Sequence, residues 1–215
     1  MSFKKRLRAR RAREREAKRR KDLLVESVRT HLLPALMRRG FAVAPRREPR
    51  GPVDRKCADI FPLGEMRRAR PDGGIDLVEI QFMAYQRAAF RINATAAPKD
   101  GMMTAGGHRT VEELHAGGLH DHFETHARPW LRPTLRALRI EPVGEWFSVW
   151  HWPLRSPKAS YDKLAMRVAG ILPEVDLALR EGKLGPHMRR LEFKPLPPEV
   201  LERIERLKTE RAMEK

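Results

Sequence analysis

The stretch IDLVEIQFM, residues 75–83, decides the fold class of this chain. Leu77 is followed by Val78, Ile80 and Phe82, so the apolar side chains change from one face of an extended chain to the other. A β-bulge, or a sheet that is covered on both faces, explains such a change of phase. We therefore expect a strand here, within a sheet that is packed on one or both faces.

Further strand-like segments lie close to this stretch on either side. Asp72-Gly73-Gly74 marks a turn just before it. The connections are too short for the crossovers that parallel strands need, so the strands should form an antiparallel meander. The other predicted strands are 41–43, 57–63, 90–96 and the aromatic segment 146–152.

Helical patterns flank the predicted strands. Four apolar residues recur every four positions and form one helix face: Leu24, Val28, Leu32 and Leu36. Pro34 lies inside this pattern and should kink the helix or shift it by one turn, and Gly40 suits its end. Two helices are predicted for 160–171 and for 173–182, the second with Gly182 just past its last turn. The fold class is therefore α+β: an antiparallel meander sheet of about four to five strands, packed by N-terminal and C-terminal helices.

Charge is concentrated at the N-terminus. The chain has 45 Lys and Arg against 28 Asp and Glu, a net charge of +17. Residues 1–22 contain twelve of the cations and three of the acids, so they carry +9. They contain no Gly or Pro, which favours a helix. We divide the chain into a basic helical arm (1–21), a compact α+β domain (22–185) and a C-terminal extension with a charged helix (186–215).

The arm is the candidate binding surface for an acidic partner or for nucleic acid. Arginines neutralise phosphates without regard to base sequence, and this gives binding a steep salt dependence. The predicted contact residues are Arg6, Arg8, Arg10, Arg11, Arg13, Arg15, Arg19 and Arg20. An arginine-rich coding bias without any polyanion role is the alternative for this charge.

Asp59, Glu79 and Gln81 form the candidate catalytic set. An acid followed about twenty residues later by Glu-x-Lys resembles the pattern of PD-(D/E)xK nucleases, where two carboxylates hold a divalent cation. Gln81 stands here in place of the Lys, and the segment after it is a predicted strand where that motif continues with a helix. The competing interpretation places these residues on the solvent side of a half-exposed sheet.

Histidines and a lone cysteine offer two other chemistries. His120, His122 and His126 are candidate metal ligands, because His122 and His126 are four residues apart and would share one face of a helix. A polar, histidine-bearing loop is the alternative.

Cys57 lies among basic residues that would lower the pKa of its thiol. The competing interpretation is that Cys57 is a small residue with no reactivity.

Several other classes are not indicated by the sequence. No apolar run is long enough to span a bilayer, and the N-terminus lacks the apolar centre of a secretory signal, so we expect a cytoplasmic protein. Neither a phosphate-binding glycine loop nor a Gly-x-Ser-x-Gly elbow is present. The sequence therefore predicts no cofactor.

The chain resembles the DUF4304 family of bacterial proteins over roughly residues 20–185. The matching segments are LLPAL (32–36), RGF (39–41), LVEIQF (77–82), FRIN (90–93), LPE (172–174) and REG (180–182). The resemblance implies a small α+β fold, a bacterial setting and a binding or immunity-type module, and it brings no catalytic residues. The basic arm lies outside the matching region.

The preferred hypothesis is a non-enzymatic binding module whose arm contacts an acidic partner or nucleic acid. A metal-dependent nuclease is the second hypothesis, and an immunity-type or structural interaction protein with no polyanion role is the third. The position of Asp59 relative to Glu79 separates the first two.

Overall fold

The change of phase at residues 75–83 reflects a sheet that is covered on both faces. In the computed structural model, strand β3 (Ile75–Phe82) has buried side chains on both of its faces. Val78, Ile80 and Phe82 face the main core, whereas Leu77 belongs to a smaller cluster on the other face. The described residues are 3–44, 59–83, 88–104, 107–114, 116, 121–127, 146–149 and 158–192.

The sheet begins as an antiparallel meander, as predicted. Its first four strands are β1 (Ala42–Val43), β2 (Glu65–Ala69), β3 and β4 (Ala89–Ala97), each paired with the next. The far edge of β4 is shared by β7 (Asp121–Thr125) and β8 (Phe147–Ser148), and β9 (Met188–Glu192) pairs with β7. The α+β class is confirmed. The described residues already form a sheet of 7 strands, more than the four to five predicted.

A separate hairpin follows β4. It consists of β5 (Met102–Thr104) and β6 (Gly107–Arg109), and a single 3-10 turn at Val111–Glu113 comes after it. The Thr110 N–H donates to the Glu113 carboxylate, which forms a capping box. This turn brings Leu114 and Ala116 over Leu77, so it covers part of the second face.

The helices pack on the other face of the sheet. They are α1 (Phe3–Ser27), a π-helical turn (Val28–Leu32), α2 (Leu33–Met37), α3 (Lys158–Ala169) and α4 (Leu172–Glu181). The predicted apolar face of the first helix is confirmed, since Leu24, Val28, Leu32 and Leu36 are all fully buried. Gly182 has a φ of 65° at the end of α4, as its position predicts.

Pro34 explains the π-helical turn. Proline has no N–H to donate, and its ring clashes with the carbonyl one turn earlier. The preceding turn therefore widens, and the Leu33 N–H donates to the Val28 carbonyl, five residues back. The helix continues through this bulge and ends at Gly40, whose φ is 87°.

An ion-pair network joins the helical layer to the sheet. The guanidinium of Arg68 on β2 contacts Asp76 on β3 and Asp176 on α4, at 2.6 and 2.7 Å. It also lies over the Phe41 ring, with 4.3 Å between Cζ and the ring centroid. Arg39 pairs with the same Asp176. These contacts fix the register between the end of α2, the sheet edge and α4.

One sequence prediction for this part of the fold is wrong. Residues 59–60 are helical, and the strand expected at 57–63 lies instead at Glu65–Ala69. β9 pairs with β7, so the sheet extends past residue 185 into the predicted extension. The charged helix predicted at 198–215, Cys57 and the strand residues after Val149 lie outside the described residues.

Within the described residues, no helix is both long enough and apolar enough to cross a membrane.

Candidate nucleic-acid interface

The N-terminal half of α1 projects from the domain. Residues 6–15 are all exposed, and the first fully buried side chain of the helix is Leu24. Because an α-helix rises 1.5 Å per residue, the projecting part from residue 3 to residue 15 is about 20 Å long. The arm is helical, as predicted, and it runs without a break into the packed part of α1.

Carboxylates on the same helix neutralise some of its cations. Glu14 pairs with Arg10, with 2.8 Å between Oε1 and Nε. Glu16 accepts hydrogen bonds from both Arg19 and Arg20, at 3.0 and 2.9 Å. Three of the eight predicted contact arginines are therefore already engaged within the chain.

The two arginines favour the ionised form of Glu16. Hydrogen bonds from Arg19 and then Arg20 lower the pKa of Glu16 to about 2. The same hydrogen bond raises the pKa of Arg19. Glu16 therefore stays ionised at any physiological pH, and it competes with an external anion for these two arginines.

The other five predicted arginines have no such competitor. Within the described residues, no carboxylate forms a salt bridge with any of Arg6, Arg8, Arg11, Arg13 or Arg15. All five are exposed, and they lie on the part of α1 that projects from the domain. Of the eight predicted contact arginines, these five are the ones available to an external anion.

The base of the arm is tied to the body. The Tyr161 ring of α3 is fully buried, and Glu16, Arg19 and Arg20 lie close enough to influence its pKa, which burial raises. On another side of α1, the Lys21 ammonium donates to the Asp59 carbonyl at 2.7 Å. The helix is thus fixed between α3 and the 59–60 turn, and its N-terminal half has a defined direction.

The candidate nuclease residues do not come together. Asp59 is exposed and lies beside α1, which packs on the helical face of the sheet. Glu79 and Gln81 share the opposite face of β3, as their spacing predicts, and Glu79 is only 5 % exposed. The sheet therefore lies between Asp59 and the other two residues, so they cannot hold one metal ion.

Glu79 belongs instead to a polar row across the sheet. One residue from each of five neighbouring strands lies directly opposite the next in this row: Glu65, Glu79, Asn93, Glu124 and Arg189. All but Arg189 are buried. We call this row, with Gln81, Arg91 and His122, the polar sheet face.

Glu124 is the centre of that face. Its carboxylate contacts Arg91 at 2.6 Å and Arg189 at 2.6 Å, and the His122 imidazole is 3.5 Å away. Burial raises the pKa of Glu124, but the His122 hydrogen bond and the charges of the two arginines outweigh it and leave the pKa lowered. Gln81 accepts hydrogen bonds from Arg91 and Asn93 at 2.8 and 3.0 Å. These contacts describe an internal ion network that holds strands together.

His122 and His126, the two described members of the predicted histidine site, do not come together. His122 is on strand β7 and His126 directly follows it, so the loop interpretation of this segment is wrong. Four residues of extended chain span about 13 Å, too far for two ligands of one ion. His120 lies outside the described residues. Among the described residues, no three His, Cys, Asp or Glu side chains are grouped as a metal site requires.

Sequence reasoning missed most of the polar sheet face. Arg91, Asn93, Glu124 and Arg189 are spread over about a hundred residues, and their meeting depends on strand order. The alternation Arg91-Ile92-Asn93 was a usable signal, because it places two polar side chains on the face that Glu79 and Gln81 share.

No known protein family, curated protein or solved structure matches this chain. The resemblance to the DUF4304 family stays a prediction.

Proposed function

We propose that this protein is a non-enzymatic binding module whose basic arm contacts a polyanion, and that the polyanion is nucleic acid. The observation that carries the proposal is the set of five exposed arginines without carboxylate partners on the projecting half of α1. Such a set supplies sequence-independent phosphate binding.

The placement of the charge supports nucleic acid. An arginine that pairs with a neighbouring Glu gains little from binding a phosphate, since one ionic contact replaces another. Arg6, Arg8, Arg11, Arg13 and Arg15 lose no such pair on binding. Each one that meets a phosphate also releases condensed counterions, which is the main source of non-specific affinity.

Within the described residues, the candidate catalytic side chains are not brought together, and this favours binding over catalysis. Asp59 is separated from Glu79 by the sheet, and Gln81 already accepts two hydrogen bonds. The carboxylate of Glu124 is likewise engaged by two arginines. The Glu124 carboxylate therefore serves as the partner of two internal cations.

Salt-titrated binding tests the proposal. A fluorescently labelled duplex DNA of random sequence is titrated with the full chain and with the variant R8Q/R11Q/R15Q. The slope of log affinity against log salt should fall by about 0.9 for each phosphate contact removed, or by up to about 2.7 in total.

The matched control is R10Q/R19Q/R29Q, which removes the same net charge. These three arginines pair with Glu14, Glu16 and Glu26. The control should change the slope much less than the test variant. Equal slopes for the two variants would show that only net charge matters, and the absence of binding to DNA and RNA at low salt would refute the proposal. Binding to polyglutamate without binding to nucleic acid would indicate an acidic protein partner instead.

A further inference from the structure

The five unpaired arginines form two stripes on opposite sides of α1. Successive residues of an α-helix are 100° apart, so Arg6 and Arg13 lie within about 20° of each other. Arg8, Arg11 and Arg15 lie within about 60° of one another by the same geometry. The mean directions of the two stripes differ by about 180°.

A single strand of nucleic acid cannot use both stripes at once without wrapping the helix. A flat surface of phosphates would likewise meet one stripe and leave the other in water. A groove, in contrast, presents a phosphate backbone on each side of an inserted helix. The major groove of B-DNA is about 12 Å wide, and an α-helix with its side chains is about 10–12 Å across.

The acids of the arm fit this placement. Glu14 is about 80° from Arg6 around the helix, and Glu16 is about 80° from it in the other direction. Both carboxylates therefore point between the two arginine stripes, and their negative charges stay away from the flanking phosphates. Arg10 lies beside Glu14 and pairs with it.

We infer that the projecting half of α1 inserts into the major groove of double-stranded DNA, with one arginine stripe on each strand's phosphates. This inference rests on the proposed function and specifies its ligand. A-form RNA is disfavoured because its major groove is too narrow for a helix to enter. The arm's projecting length of about 20 Å corresponds to roughly six base pairs at 3.4 Å each.

The test compares two stripe variants on duplex DNA, and it compares this DNA with three other nucleic acids. R6Q/R13Q and R8Q/R15Q each remove two arginines from one side, and R10Q/R19Q removes the same charge from paired positions. On duplex DNA each stripe variant should lower the slope of log affinity against log salt by about 1.8. Raising the salt from about 50 to about 200 mM should therefore weaken DNA binding by the variant about tenfold less than it weakens DNA binding by the parent chain. The two reductions in slope should add in the variant that carries all four substitutions, R6Q/R8Q/R13Q/R15Q. R10Q/R19Q should reduce the slope less than either stripe variant does.

Duplex RNA and single-stranded DNA of the same length should bind more weakly than duplex DNA. A DNA duplex with glucosylated hydroxymethylcytosine, whose sugars fill the major groove, should bind at least about tenfold more weakly, whereas netropsin in the minor groove should not compete.

The outcomes separate this inference from the proposed function. If the chain binds all polyanions equally, or if one stripe is dispensable on duplex DNA, the groove placement is wrong while nucleic-acid binding stands. Tighter binding to duplex RNA, or insensitivity to the glucosylated duplex, would also overturn the placement. If no nucleic acid binds at low salt, both are wrong.

Discussion

At the residue scale, Glu124 illustrates a buried charge that is stable because of its partners. The side chain is 1 % exposed, and both of its oxygens contact guanidinium groups. Arg91 is further covered by the Trp146 ring, with 4.6 Å between Cζ and the ring centroid. Such a network stabilises the fold only while every member stays ionised.

The lowered pKa of Glu124 predicts a pH-dependent stability. A carboxyl group whose pKa is lower in the folded than in the unfolded chain contributes its full stabilisation above the unfolded pKa, which is about 4.3. The contribution is lost as the pH falls through the folded pKa. At pH 7 we expect Glu124→Gln to lower the free energy of unfolding by about 3–5 kcal/mol, because two half-buried arginines lose their counter-charge.

Urea unfolding of both chains between pH 7 and pH 3 measures this effect. The difference between parent and variant should shrink as the pH falls below about 4.3. Glu14→Gln is the control, since it breaks an exposed pair and should leave stability unchanged at every pH. A parent–variant difference that stays constant across the range would contradict the role of the Glu124 charge.

At the element scale, the two central apolar strands were predictable and the polar strands were not. β3 and β4 were placed to within about a residue of their ends, because their apolar residues leave few alternatives. β2 has the sequence EMRRA, and charge of this kind argues against a strand. It is a strand because Arg67 donates to the Val111 carbonyl and Arg68 contacts Asp176, partners 44 and 108 residues away.

The same limit applies to β7. Its sequence, DHFET, gave no strand signal, and the chain pairs there because β4 and β9 offer free edges on both sides. Helix ends were easier, because Gly40 and Gly182 encode the positive φ directly. Local rules therefore predict the elements whose stability is local, and the polar sheet face depends on pairings that no local pattern contains.

The turn between β4 and β5 yields a prediction about glycine. Gly101 has a φ of 84°, and a Cβ added to it would lie 2.0 Å from the Arg109 carbonyl oxygen. Gly182 has a φ of 65°, but a Cβ there would meet nothing within 4 Å. Gly182→Ala should therefore cost only the left-handed strain, about 1 kcal/mol, while Gly101→Ala should cost at least about 3 kcal/mol because backbone must move.

Chemical denaturation of the two variants beside the parent chain checks this. The comparison is matched, since both substitutions add one methyl group at a left-handed glycine. Equal losses would mean that the β5–β6 hairpin shifts freely to admit a side chain, and that it is not packed as rigidly against the 3-10 turn as the contact implies.

At the scale of the whole molecule, the projecting arm and the body differ in charge and in burial. The first 22 residues carry +9 of the net +17, yet residues 6–15 bury no side chain. The body holds itself together through the core on the helical face and the ion networks of the sheet. Removing the projecting part should therefore change binding and leave folding intact.

We expect a chain lacking residues 1–15 to keep its free energy of unfolding within about 0.5 kcal/mol, because surface groups without partners contribute little. Its affinity for duplex DNA at low salt should fall by about tenfold or more, since all five unpaired arginines are lost.

A chain lacking residues 1–23 is the informative comparison. It also loses Glu16, Arg19 and Arg20 beside the buried Tyr161, and it should be less stable than the shorter deletion. Urea unfolding and fluorescence anisotropy on the same preparations measure both quantities. If the shorter deletion retained its affinity, phosphate binding would belong to residues 16–215, which still carry +10, and if it unfolded the domain, the arm would be a structural element.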